Sequence, residues 1–194
     1  EIEVDRSDIC STRSIISGSS NFFKINLDKI SFKKNYYDLI YSNYFLQVIE
    51  DFDKTLYELN KSLRSGGFFI AAIPHKEDII EVAKSMYKTD LYFYNGVYQR
   101  INPTIEINDI LKFFKKTNFE SPSIYTDTIT IDYSEFKKLL FEVKNMNLTY
   151  FYNDKRKHFE NKRYFRKLEE FYTKNNSNKE YQLKIKVNII SGWK

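Results

Sequence analysis

The sequence predicts an α/β fold, a doubly wound and mainly parallel sheet with antiparallel strands at its carboxyl end. Three observations predict it. Short apolar runs alternate with helical patterns through the first half, and parallel neighbours need such crossover helices. Gly and Pro are scarce, at 5 and 3, so long flexible linkers are not expected. Two long stretches late in the chain alternate apolar and polar residues, as antiparallel strands do.

The elements follow in order. Glu1–Asp5 alternates and reads as a strand ending on an acid. Ser7–Ser20 carries a weak amphipathic helix around Ile9, Ile15 and Ile16, and Asn21–Ile25 is a short strand. Tyr36–Tyr41 has the composition of a buried strand. Asp53–Leu63 puts Leu56, Leu59 and Leu63 on one face, with Asp53 as N-cap and Ser65-Gly66-Gly67 as the stop. Phe68–Ile73 is the most apolar strand and Pro74 ends it. Helices are predicted at Glu77–Tyr87, Glu106–Lys116, Glu135–Asn145 and Arg156–Thr173. The last of these has Phe165, Leu168 and Phe171 at core spacing. Residues 88–104 read as irregular. Ser123–Asp132 and Tyr181–Ile190 are the two late strands.

Composition bounds the function. The chain of 194 residues suits one α/β domain, and 42% hydrophobic content is enough for a packed core. The net charge of +5 demands no particular partner. The single cysteine, Cys10, excludes an internal disulfide and a cysteine-built zinc site. His75 and His158 lack metal-ligand spacing and read as surface or loop residues. No apolar run reaches the roughly 18 residues of a membrane span. The chain does not begin with Met, so a start upstream of Glu1 is expected.

In doubly wound sheets ligands bind beyond the carboxyl ends of the strands. Asp5 offers a carboxylate to ribose hydroxyls, or is a solvated turn residue. Asn26 and Leu27 offer an amide oxygen and a backbone N–H to a base, or form an ordinary turn. Ser42 and Asn43, with Gln47 shortly after, present small polar groups to a ligand, or a polar loop.

Taken together these segments resemble a family. Residues 36–51 (Tyr-Tyr-Asp-Leu-Ile-Tyr-Ser-Asn-Tyr-Phe-Leu-Gln-Val-Ile-Glu-Asp) are similar to the aromatic-Asp-Leu stretch of class I S-adenosylmethionine-dependent methyltransferases. Leu59–Gly67 is similar to the helix end that follows it. The stretch is shared with the malonyl-carrier-protein methyltransferase of biotin synthesis, although Val48 stands where a Trp is usual. Arg100–Pro103, Ile107–Ile110, Asn118-Phe119, Thr126–Tyr133 and Gly192–Lys194 resemble, in order and spacing, the mitochondrial complex I assembly factor 5 group.

The resemblance implies a Rossmann-like methyltransferase fold over residues 1–194, as one amino-terminally truncated domain that lacks the first strand and the glycine-rich loop. It implies S-adenosylmethionine as cofactor, with Asp5 on the ribose, Asn26 where an adenine-binding Asp is usual, and Leu27, Ser42 and Asn43 nearby. Pro74–Ile79 departs from the family's Phe-Gly-containing segment. The implied partner is a protein substrate, an iron–sulfur subunit of respiratory complex I, modified on arginine by hydroxylation or methylation. The implied location is the mitochondrial matrix, at the periphery of the inner membrane, or the cytoplasm of an alphaproteobacterium. No residue stands out as catalytic.

The absent central strand leaves a gap or forces a new pairing. Buried backbone groups without partners cost about 1–3 kcal/mol each. Marginal stability and poor cofactor binding are therefore expected of this chain alone. Two other functions remain open: a scaffold of the same fold without catalysis, and RNA binding through the basic Lys155–Lys167 helix. The second is the weaker reading, since Lys and aromatics are common throughout this composition and a solvated helix with core-facing aromatics accounts better for the stretch.

Overall fold

A computed structural model describes residues 5–8, 22–24, 32–49, 51–150, 158–175 and 181–194. Two short strands, β1 (Arg6–Asp8) and β2 (Phe22–Lys24), pair in parallel and form their own sheet. The larger sheet has four strands: β3 (Tyr37–Asn43), β4 (Leu63–Pro74), β5 (Glu120–Tyr133) and β6 (Tyr181–Trp193). Their spatial order is β3-β4-β6-β5. β3 and β4 are parallel, with Ser42 opposite Ala71, and are joined by the crossover helix α1 (Phe52–Ser62). β6 runs antiparallel to both β4 and β5. The late pair of strands is thus antiparallel as expected and forms one side of the sheet, with β5 at the edge and β6 next to β4.

Four further helices cover the sheet: α2 (Ile80–Tyr94), α3 (Ile107–Lys116), α4 (Phe136–Asn145) and α5 (Lys162–Asn175). The β alternation sends one face of β4 (Phe69, Ala71, Ile73) and Ile190 of β6 toward Leu56 and Leu59 of α1 and Ile110 and Phe114 of α3. On the other face Leu183 and Ile185 of β6 pack with Val82 of α2, Leu139 and Val143 of α4, and Tyr164, Leu168 and Tyr172 of α5. This is a three-layer helix–sheet–helix arrangement. At Gly192 a Cβ would lie 2.9 Å from Phe114 Cε1, so only glycine lets β6 and α3 approach this closely.

Several element boundaries differ from the sequence reading. α1 starts at Phe52, because Asp51 and not Asp53 is its N-cap; Asp51 Oδ1 accepts from the Lys54 N–H at 2.9 Å. β4 begins at Leu63, directly after the helix, where Leu63 pairs with Tyr37 and Gly66 takes φ +76°. α2 starts three residues later than expected and continues to Tyr94, since Asn95 supplies the left-handed C-cap at φ +51°. The buried stripe of α5 is Tyr164, Leu168 and Tyr172; Leu168 is buried as expected, while Tyr164 and Tyr172 take the places expected for Phe165 and Phe171, and Phe165 is 46% exposed. Residues 156–157 of the expected helix lie outside the described residues, and His158–Asn161 precede α5. β1 begins after Asp5, so Asp5 does not end a described strand; Glu1–Val4 and the expected helix from Ile9 onward lie outside the described residues.

Among the described residues, the edge of β3 facing away from β4 has no strand partner. Leu39 and Tyr41 on β3 are 58% and 72% exposed. No helix among the described residues is long and apolar enough to cross a membrane.

Candidate functional site

The carboxyl ends of the parallel strands β3 and β4 lie side by side, and the chain turns sharply after each. After β3, Tyr44 adopts the left-handed conformation at φ +46°, with its N–H donating to Ala72 O at 2.9 Å. After β4, Ile79 does the same at φ +44°. Left-handed backbone is unusual for a tyrosine and more so for a β-branched residue, and costs on the order of 1–3 kcal/mol. Strain of this kind concentrates where a side chain must be aimed.

Here it aims a polar cluster. The Tyr44 hydroxyl donates to Asp78 Oδ2 at 3.0 Å, and the Lys186 backbone N–H donates to Asp78 Oδ1 at 2.8 Å. Burial pushes the Asp78 carboxyl up to about 6, against the pull of these donors and of the Ile79 N–H. Burial and the adjacent carboxylate together hold the Tyr44 hydroxyl far above its usual range, so it stays a protonated donor. His75 lies in the loop after β4, one of the two positions expected for it, and is buried there. Its Nδ1 accepts from the Glu77 N–H at 3.0 Å. Burial and the Lys186 charge lower its pKa, so it is a neutral imidazole at neutral pH. The Lys186 ammonium is paired with Glu77 at 2.5 Å.

Ser42 sits at the same rim, with a buried hydroxyl that has no hydrogen-bond partner. Asn43 beside it is exposed. Gln47 anchors the loop from below: its Nε2 donates to Tyr44 O at 2.6 Å and to Met146 O at 3.3 Å. The arrangement therefore offers an orphan hydroxyl, an exposed amide, and a carboxyl that exchanges its proton near neutrality.

The structure brings Ser42 and Asn43 together and does not bring Asp5 to them. Asp5 Oδ2 accepts from the Tyr37 hydroxyl at 3.1 Å. Tyr37 opens β3 and Ser42 lies five residues on, about 17 Å along the strand at 3.3 Å per residue. Asn26 and Leu27 lie outside the described residues. Sequence reasoning missed Tyr44, His75 and Asp78 as members of one cluster. Positions just after two adjacent strands carry that signal, but only the β3–β4 pairing shows that they meet. Among the described residues, no three His, Cys, Asp or Glu side chains gather to hold a metal ion.

The aromatic residues of the Lys155–Lys167 stretch are divided. Tyr164 is buried and its hydroxyl donates to Asp90 Oδ1 at 2.9 Å, so it is not free to stack on a base. Phe159 and Phe165 are exposed.

The strand order, the three layers and the rim at the carboxyl ends define a class: the chain has the Rossmann-like fold of S-adenosylmethionine-dependent methyltransferases. Solved structures agree on the fold. The YcgJ protein of Bacillus subtilis matches with a TM-score of 0.55 at 13% identity, over 95% of this chain and 76% of that one. A putative methyltransferase of Bacillus halodurans matches with a TM-score of 0.55 at 12% identity, over 93% and 76%.

Residues 3–71 match the family model described as methyltransferase domain. Among curated proteins, the chain is similar to the mitochondrial arginine-hydroxylase NDUFAF5 of Dictyostelium discoideum, 28% identical over 109 residues, 56% of this chain and 25% of that protein. It is similar to the human protein of the same name, 24% identical over 117 residues, 60% of this chain and 34% of that protein. It also resembles malonyl-[acyl-carrier protein] O-methyltransferase 1 of Coxiella burnetii, 25% identical over 109 residues, 56% of this chain and 36% of that protein. The matched region thus spans between a quarter and about a third of the length of these relatives.

Proposed function

We propose that this chain is the substrate-facing part of a methyltransferase-fold enzyme that uses S-adenosylmethionine and modifies an arginine of a protein substrate during respiratory complex I assembly. The observation that carries the reading is the orphaned Ser42 hydroxyl at the carboxyl end of β3, beside the Tyr44–Asp78 pair. A buried hydroxyl without a partner at a strand-end rim fits a polar ligand group. Similarity to arginine hydroxylases named mitochondrial supports the substrate class and a location in the mitochondrial matrix; the cytoplasm of a bacterium is the alternative.

Ser42 and Asn43 would hold polar edges of the cofactor, with Asn26 and Leu27 on its base. The position of Asp5 beside Tyr37 counts against Asp5 as the ribose ligand in this arrangement. When bound, the cofactor supplies an electrophilic methyl group. Tyr44 orients the Asp78 carboxylate, and Asp78 takes a proton from a substrate N–H or O–H. Burial of the pair keeps water away from that transfer.

Isothermal titration of S-adenosylmethionine into the full chain tests the cofactor. Saturable heat supports the reading, and no heat at high micromolar ligand favours the second one, a scaffold of the same fold without catalysis. The separation of Asp5 from the rim favours that second reading. Mass spectrometry of the candidate iron–sulfur subunit then distinguishes an added methyl group from an added oxygen.

A further inference from the structure

We infer that the outer edge of β5 is a homodimer interface, on which a second copy of this chain lays its own β5 antiparallel to the first. β5 closes one side of the sheet, and among the described residues its outer edge has no strand partner. From Ser123 to Tyr133 it keeps one register with β6, without a bulge. At about 3.4 Å per residue this regular edge is about 37 Å long.

Exposed edges of such length are normally guarded by Lys, Pro or bulges, because their free N–H and C=O groups recruit other strands. Here the guards stop short. Pro122, the left-handed Ser121 at φ +47° and the register shift all lie before Ser123. Residues 123–133 contain no Lys, Arg, Gly or Pro, in a chain that carries 31 Lys and Arg. On one face of the strand Tyr125, Ile129 and Ile131 are 60%, 47% and 37% exposed. Alternate N–H groups of an edge strand point away from its sheet. The Thr128 N–H donates to the Asp127 carboxylate of the adjoining residue at 2.7 Å, where a paired strand would supply a carbonyl.

The pattern of side chains selects a second copy as the occupant. Two identical edges close into a dimer about a two-fold axis. An axis normal to the sheet through Ile129 pairs that residue with its own counterpart. It sets Thr128 opposite Thr130, Asp127 opposite Ile131, Thr126 opposite Asp132 and Tyr125 opposite Tyr133. No carboxylate then meets a carboxylate, whereas parallel pairing in register would set Asp127 and Asp132 each against its own copy. Opposed like charges destabilise a ladder, and Thr–Thr and aromatic–aromatic pairs stabilise it. The same axis keeps Tyr125, Ile129 and Ile131 of both copies on one face, so they form a single apolar strip across the seam. β6 separates that seam from β4, and the two β3–β4 rims face opposite ends of the joined sheet. The inference goes beyond the methyltransferase-fold reading and needs no cofactor, so the two fail separately.

The test is light scattering on the full chain during gel filtration, loaded at about 1–100 µM, with cysteine cross-linking in a Cys10→Ser background. The expected mass at the highest concentration is twice 23.4 kDa. Ile129→Lys brings two ammonium groups together at the axis and weakens the dimer at least about tenfold, with an unchanged circular dichroism spectrum. Ile129→Cys oxidises to a covalent dimer, because the opposed Cα atoms there are about 4.5–5.5 Å apart. Ile131→Cys does not, because its counterpart is offset by about 14 Å along the strands. The cysteine pair decides the question even where Ile129→Lys fails to fold. A parent chain monomeric at about 100 µM, a dimer indifferent to a folded Ile129→Lys, or cross-linking of Ile131→Cys as fast as of Ile129→Cys would each overturn the assignment.

Discussion

The Tyr44 hydroxyl donates to Asp78 Oδ2 across 3.0 Å, and so ties the turn after β3 to the turn after β4. Both turns pass through left-handed backbone, at Tyr44 and Ile79. The bond holds two strained loops in one arrangement. Tyr44→Phe removes the donor and leaves Asp78 with backbone donors alone. A hydrogen bond to a charged group contributes about 1.5–3 kcal/mol. The variant should lose stability within that range in urea denaturation, and NMR titration should place the Asp78 carboxyl higher than in the parent chain.

The pH dependence of stability follows from the same residue. Asp78 is raised in the folded protein to about 6 from the ordinary 3.8. Between these values the folded state binds more protons than the unfolded state, so stability falls as pH rises. The Asp78 contribution is fully present below 3.8 and is lost as pH climbs through about 6. The whole effect is on the order of 3 kcal/mol. Asp78→Asn does not ionise and should gain on the parent chain by up to about that amount from acid to pH ~8. Chemical denaturation of both proteins at several pH values measures it.

Beneath α2 and α5 lies a charged network of a different kind. Asp90 is fully buried. It accepts from Arg100 Nη2 at 2.6 Å, from the Tyr98 N–H at 3.1 Å and from the Tyr164 hydroxyl. Arg100 also reaches Glu160 at 2.7 Å, and the two carboxylates hold its guanidinium pKa up despite burial. Arg100→Ala should cost about 3–5 kcal/mol, because it strands a buried carboxylate. The double variant with Asp90→Ala should cost less than the sum of the single losses, and a double-mutant cycle by thermal denaturation reads the difference.

Gly192→Ala should destabilise by about 1–3 kcal/mol through overpacking. Its Cβ would meet the buried ring of Phe114 at 2.9 Å and Phe119 Cβ at 3.1 Å. Calorimetric unfolding of the variant checks this.

The alternation of apolar runs and helices made the layered fold legible, because burial imposes periodicity on residues such as Phe69, Ala71 and Ile73. Boundaries were less legible. Leu63 and Gly66 entered β4 through pairing with Tyr37 and with Lys194, partners distant in sequence. On α5 Leu168 was legible, but Tyr164 replaced Phe165 on the buried face because its hydroxyl is held by Asp90, a contact across 74 positions. For the proposed site, the place of Ser42 and Asn43 near the carboxyl end of an apolar strand was readable. Asp78 and His75 were not, since a carboxyl four residues past Pro74 reads as a surface group until β6 covers it. Gln47 was noted as polar near a rim; its orphaned Oε1 becomes visible only when its partners are counted.

The central claim is that the carboxyl rim of β3 receives the nucleoside cofactor. The most direct measurement is the backbone amide spectrum of the labelled full chain during addition of S-adenosylmethionine. The account predicts saturable shifts centred on Ser42, Asn43 and Tyr44. Shifts confined to residues away from that rim, or an unchanged spectrum at high micromolar ligand, would contradict it.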